Sequence, residues 1–75
     1  MPQLTRITRD ARVMGGKPCI RGMRVTVGTV VGLVAAGRTN EEILREYLYL
    51  EVADIAEALS YAAWRAEEVV PLDQQ

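Results

Sequence analysis

The apolar positions of this chain fall into two regimes. From Val27 onward they recur at helical spacing, whereas up to Val25 they come in ones and twos between turn residues. Val27, Val30, Val31 and Val34 repeat at i, i+3, i+4 and i+7, which predicts a first helix over Val27 to Ala36 with one buried stripe. Thr26 is its expected cap and Gly37 its left-handed stop. Four valines are poor helix formers, so this helix depends on packing. Thr39-Asn40-Glu41-Glu42 reads as a capping box that opens a second helix running to about Tyr47, with Ile43, Leu44 and Tyr47 facing inward. After a short apolar connection, Leu48-Tyr49-Leu50, a third helix is expected from Glu51-Val52 to about Val69. Ile55, Ala58, Leu59, Ala62, Ala63 and Ala66 form its expected buried stripe. Asp54 and Glu57 suit its N-terminal dipole end, and Pro71 ends it.

The first 25 residues are β-like and rich in turns. Ile7-Thr8 is a candidate short strand, and Gly15-Gly16 breaks the chain. Pro18-Cys19-Ile20 and Arg24-Val25 flank Arg21-Gly22-Met23, which predicts a small hairpin with Gly22 at positive φ. Pro18 has no N–H to donate, so its strand starts there or lies at an edge. The expected fold is α+β and mostly α. A hairpin arm over 1–25 precedes a helix-turn-helix-like bundle of three helices over 26–70 and a tail over 71–75, all one domain. Gly28 and Gly32, four apart, either admit another backbone closely or are simply tolerated small residues.

Composition removes several classes of function. The chain is 75 residues long and 49% hydrophobic, too apolar for disorder and too short for a large core. A homo-oligomer is therefore expected. It has no histidine and one cysteine, Cys19, which excludes ordinary zinc sites and an internal disulfide. Gly15-Gly16-Lys17 lacks the first glycine and the final Ser/Thr of a phosphate-binding loop. Catalysis and a cofactor are not expected. The N-terminus has no apolar leader, and Val25 to Ala36 is too short to span a membrane. A cytoplasmic protein with no membrane association is the expectation.

Charge is divided by position. Met1 to Arg38 carries seven cations against Asp10 alone, a net of +6, whereas Thr39 to Gln75 carries Arg45 and Arg65 against nine carboxylates, a net of −7. The basic part suits nucleic acid, an acidic protein pocket or the acidic half of a second copy; the remaining alternative is a solvated surface with no partner. A capped helix, a short turn and a longer helix also give a helix-turn-helix outline. Yet the start of the third helix holds Glu51, Asp54 and Glu57 and no cation, so base reading there would set carboxylates against phosphates. If DNA is bound, the arm is the better contact, through Arg12, Lys17, Arg21 and Arg24.

Three stretches carry a family resemblance. They are Ile7-Thr8-Arg9-Asp10, Val13-Met14-Gly15-Gly16-Lys17-Pro18-Cys19-Ile20-Arg21-Gly22 and Arg24-Val25-Thr26-Val27. With Gly37-Arg38, Glu41-Glu42-Ile43, Asp54-Ile55, Ala58-Leu59 and Tyr61-Ala62, the chain resembles the bacterial domain of unknown function family 433 over roughly Ile7 to Val69. Ala11, Met23 and Leu48 depart from the usual proline, threonine and proline. The resemblance implies a small β-hairpin joined to a homeodomain-like trihelical bundle, often dimeric. It also implies a VapB-like antitoxin paired with a small PIN-like nuclease toxin. Such a nuclease holds divalent metal with clustered carboxylates, which a guanidinium or ammonium group from the arm would neutralise.

The expected partner or nucleic-acid contacts are Arg12, Lys17, Arg21, Arg24 and Arg38. Arg21 and Arg24 have a rival role, pairing with the chain's own acidic helices and holding the hairpin down. A homodimer interface is expected at Ile7, Val13, Tyr61 and Trp64. Trp64 lies off the alanine stripe, so it is either a core edge or an interface anchor.

Overall fold

The computed structural model describes residues 4–69. Within them a two-stranded antiparallel sheet precedes three helices. β1 (Ile7–Thr8) pairs with β2 (Cys19–Ile20), Ile7 opposite Ile20 and Thr8 opposite Cys19. Between them Met14, Gly15 and Gly16 form a 3-10 turn with all three φ angles positive. The predicted hairpin after Pro18 is present in reduced form. The Met23 N–H donates to the Ile20 carbonyl at 2.8 Å, the Ile20 N–H donates to Val25 at 3.0 Å, and Cys19 bridges to Thr26. Gly22 has φ +74 as expected, and Arg21 joins it at +47. Two successive residues at positive φ give a turn whose twist matches that of the strands.

α1 (Val27–Ala35) begins at Thr26, whose hydroxyl accepts from the Thr29 N–H at 3.0 Å. It ends as its sequence predicts. Gly37 has φ +90, its N–H reaches the Val34 carbonyl, and the Arg38 N–H reaches Leu33, the paired bonds of a Schellman motif. α2 (Asn40–Glu46) has the complete capping box: Glu42 N–H to the Thr39 hydroxyl at 3.1 Å, and Thr39 N–H to the Glu42 carboxylate at 2.8 Å. That backbone contact holds the Glu42 carboxyl below its usual range. α3 spans Val52–Val69. The expected stop at Pro71 and the tail over 71–75 lie outside the described residues.

The core lies where α1 crosses α3 over the sheet, and it gathers Ile20, Val25, Val27, Val30, Ile43, Leu50, Ile55, Ala58 and Tyr61. The inward face of α3 is therefore rotated from the expected stripe. Asp54, Ile55, Ala58 and Tyr61 are buried, while Leu59, Ala63 and Ala66 are exposed. α3 is apolar over a wide arc, and the sequence pattern cannot show which part of that arc α1 and β1 will meet. Tyr61, expected at a dimer surface, is instead a core residue with its ring edge-on to Trp64, the centroids 5.7 Å apart. Trp64 is half-buried against the core, as is Ile7, and Val13 is half-buried in the arm.

Candidate interaction surface

The basic arm and the acidic helix meet in one cluster at the start of α3. Asp54 is fully buried. Its carboxylate accepts from Arg21 Nε at 3.1 Å and Nη2 at 2.9 Å, from Arg6 Nη1 at 3.0 Å, and from the Glu51 backbone N–H at 2.8 Å. The last contact is the return half of a capping box, made without a Ser or Thr at the cap. Arg6 also bonds Glu51 at 2.6 Å, and its backbone N–H donates to Glu57 at 2.9 Å. The spare N–H of Arg21 reaches the Tyr49 carbonyl at 2.7 Å, tying the α2–α3 turn into the same cluster.

Burial alone would push the Asp54 carboxyl up. The Arg21 guanidinium, the Glu51 N–H and Arg6 outweigh it and hold that carboxyl below its usual range. Hydrogen bonds to these carboxylates raise both arginines: Glu51 first and then Asp54 for Arg6, Asp54 for Arg21. The sequence pattern assigned Asp54 only to the N-terminal dipole end of α3, outside the buried stripe. Asp54 corrects that, because an aspartate three residues past a helix cap can turn inward once two guanidinium groups cover it.

The five expected contact cations do not form one patch. Arg21 is committed to Asp54, as its rival role foresaw. Arg12 closes on Asp10 within its own turn at 3.0 Å. Arg38 lies past the far end of α1 and pairs with Glu46 at 2.8 Å. Lys17 and Arg24 are exposed and make no ion pair among the described residues, and Arg9 shares that state. Lys17 lies beside the capped start of α1, in an open pocket of about 490 Å³ with Pro18, Thr26, Gly28 and Thr29. Arg9 lies on the rim of a second groove, between α1 and α3. Among the described residues, no group of three or more carboxylates or cysteines is placed to hold a metal ion.

Two features escaped the sequence reading. One is Arg6, whose partners lie 45 to 51 residues away, a separation that no local motif encodes. The other is an exposed apolar surface at Leu48, Tyr49, Val52 and Leu59. Part of its signal was present in the apolar arc of α3, but Leu59 was assigned to the buried stripe.

A family model described as "Protein of unknown function (DUF433)" matches residues 7–62. The chain belongs to that family. The DUF433 match runs from β1 into the second half of α3. It includes Arg21, Asp54 and Glu57 of the cluster and stops before Trp64, Arg65 and Ala66. Arg6 stands one residue ahead of the DUF433 boundary. No curated protein and no solved structure matches the chain. Among the described residues, no helix is long and apolar enough to cross a membrane.

Proposed function

We propose that this protein is the antitoxin of a toxin–antitoxin pair and that its basic arm binds a PIN-like nuclease. One observation carries the reading. Arg21 and Arg24 stand on one turn, with Arg21 locked to Asp54 and Arg24 left exposed without an ion pair among the described residues. The locked arginine fixes the arm and the exposed one is available to a partner. Arg24, with Lys17 and Arg9, offers cations to a carboxylate-lined, metal-holding nuclease site, where a guanidinium binds two oxygens at once. Lys17 follows the positive-φ turn at Met14–Gly16 and Arg24 the one at Arg21–Gly22, so their backbone loses less freedom on binding than a flexible tail would. The test is co-purification with PIN-like nucleases of the same host, followed by an RNA-cleavage assay. The expected result is a stable complex in which cleavage stops and is restored by Arg24→Glu. No complex with any of them rejects the reading.

A second reading is contact with DNA through the arm. Lys17 beside the start of α1, at the positive end of the helix dipole, favours phosphate contact. The exposed face of α3 over Val52, Ala56, Leu59 and Ala63 offers no cation to a groove, and Arg65, the helix's exposed cation among the described residues, lies toward its far end. This reading expects affinity that falls steeply with salt, measured by titration of a duplex. Salt-insensitive or absent binding rejects it.

A further inference from the structure

α1 and α3 enclose an open groove of about 630 Å³, and its lining combines two chemistries. Val27 and Val31 of α1 and Tyr61 and Ala62 of α3 make it apolar. Its only charged lining residues are Arg9, from the arm, and Arg65, from α3. Both are exposed, and neither makes an ion pair among the described residues. Asp10, next to Arg9 in sequence, is already held by Arg12. Glu67 stands roughly 200° round the helix from Arg65, away from the groove. Arg65 lies over the Trp64 ring, 5.8 Å from its centre, a contact that pairs no charge. The pocket at the start of α1 shares Pro18 and Gly28 with the groove, adds Lys17, and is lined by no anion either.

The two glycines of α1 belong to the same surface. Gly28 and Gly32 both line the groove, one turn apart. A Cβ at Gly32 would meet nothing within 4 Å, and one at Gly28 would meet only the Thr26 hydroxyl at 3.9 Å. Neither glycine has a positive φ. The packing of the chain therefore requires glycine at neither position, in a valine-rich helix that each glycine weakens further. Without side chains there the α1 wall of the groove is low. A second helix can then approach the α1 backbone closely, since interaxial distance follows the side chains at the contact.

We propose that this groove seats an acidic amphipathic helix of a partner protein. Apolar side chains at i, i+3, i+4 and i+7 of that helix cover Val31, Tyr61 and Ala62, and carboxylates on its flanks meet Arg9 and Arg65. A nucleic acid would suit the arginines but not the lining, where phosphates would lose water and gain no donor from valine or alanine. The groove is separate from the turn that carries Arg24, and its occupant need not be a nuclease.

The test is fluorescence anisotropy of the full chain with a short fluorescein-labelled helical peptide, leucine at i, i+3, i+4 and i+7 and glutamate on both flanks. Saturable binding is expected, and the same peptide with lysine for glutamate is expected not to bind. Gly32→Leu fills the groove from α1 with a better helix former, so it is expected to abolish binding and to melt no lower than wild type. Arg65→Glu is expected to weaken binding about tenfold, whereas Arg45→Glu, the same change of charge on α2, leaves it unaltered. No binding, equal binding of the lysine peptide, or wild-type affinity in either Gly32→Leu or Arg65→Glu overturns the proposal. So does an equal loss in Arg45→Glu. A DNA duplex that displaces the peptide and still binds Gly32→Leu would assign the arginines to nucleic acid and overturn it too.

Discussion

Arg21 and Arg24 lie three residues apart on one turn, and they lead opposite lives. Arg21 sits at φ +47, bonds a fully buried carboxylate and reaches across to the α2–α3 turn. Arg24 is exposed and makes no ion pair among the described residues. The same contrast separates the two ends of the arm's charge. Arg6 and Arg21 hold the sheet against α3, while Arg9, Lys17 and Arg24 face outward. A basic stretch in a sequence is thus two populations, one that maintains the fold and one that stays exposed.

The hardest test of that division is removal of the shared acceptor. Asp54→Ala would strip Arg6, Arg21 and the Glu51 N–H of their common, fully buried partner. Breaking a buried ionic cluster in this way costs about 3 kcal/mol or more, a large share of the stability of a 75-residue domain. Urea unfolding is expected to show a midpoint far below wild type or no folded baseline at all. Lys17→Glu with Arg24→Glu should leave the midpoint in place. An Asp54→Ala chain as stable as wild type would show that the cluster is incidental.

Acid probes the same cluster without mutation. The folded Asp54 carboxyl titrates below its unfolded value, so as pH falls the folded state binds fewer protons than the unfolded one. Its contribution is complete above the ordinary carboxylate range, at about pH 4. It is lost as pH drops through the depressed folded value. Thermal melts are expected to be flat near neutrality and to fall steeply below that range. A protein that gained stability on acidification would contradict the assignment.

Comparison of Arg21→Gln with Arg24→Gln sharpens the division further. Asp54 keeps Arg6 and the Glu51 N–H when Arg21 is lost, so Arg21→Gln is expected to lower the melting temperature without unfolding the chain. It should reduce nuclease binding only as far as the arm loosens. Arg24→Gln should melt like wild type and, on the proposed function, lose the nuclease. Equal melting shifts would mean that both arginines are structural. Equal binding losses at unchanged stability would mean that both reach the partner.

The sequence made some of this legible and hid the rest, for reasons of range. Both helix caps, the Schellman stop at Gly37 and the turn at Gly22 were readable because each is written within four to six residues. The three helices followed from apolar period and length. The orientation of α3 did not follow, because Ala58, Ala62, Ala63 and Ala66 fit either face equally well. The Arg6–Asp54 contact spans 48 residues and could not be read from any local pattern. Hence the arm's cations were legible as a group, and their division into inward and outward members was not.

The smallest expected effect tests whether distance alone makes an ion pair matter. Arg12 grips Asp10 through Nε at 3.1 Å and Nη2 at 3.0 Å, with its backbone N–H adding a third bond at 2.9 Å. By geometry this equals the grip of Arg21 on Asp54. Yet the Arg12 side chain is 88% exposed, and its partner is two residues away. Water competes for both groups, and so short a loop can close in the unfolded chain too. The Arg12 guanidinium holds the Asp10 carboxyl below its usual range in the folded protein. Much of that depression should persist after unfolding, which leaves little difference for stability to register. Asp10→Asn is therefore expected to leave the urea midpoint where it was and to spare the acid transition that Asp54 governs. A clear drop in that midpoint would show that the turn over Asp10 to Val13 is held by this pair, and that the outward part of the arm shares in the fold.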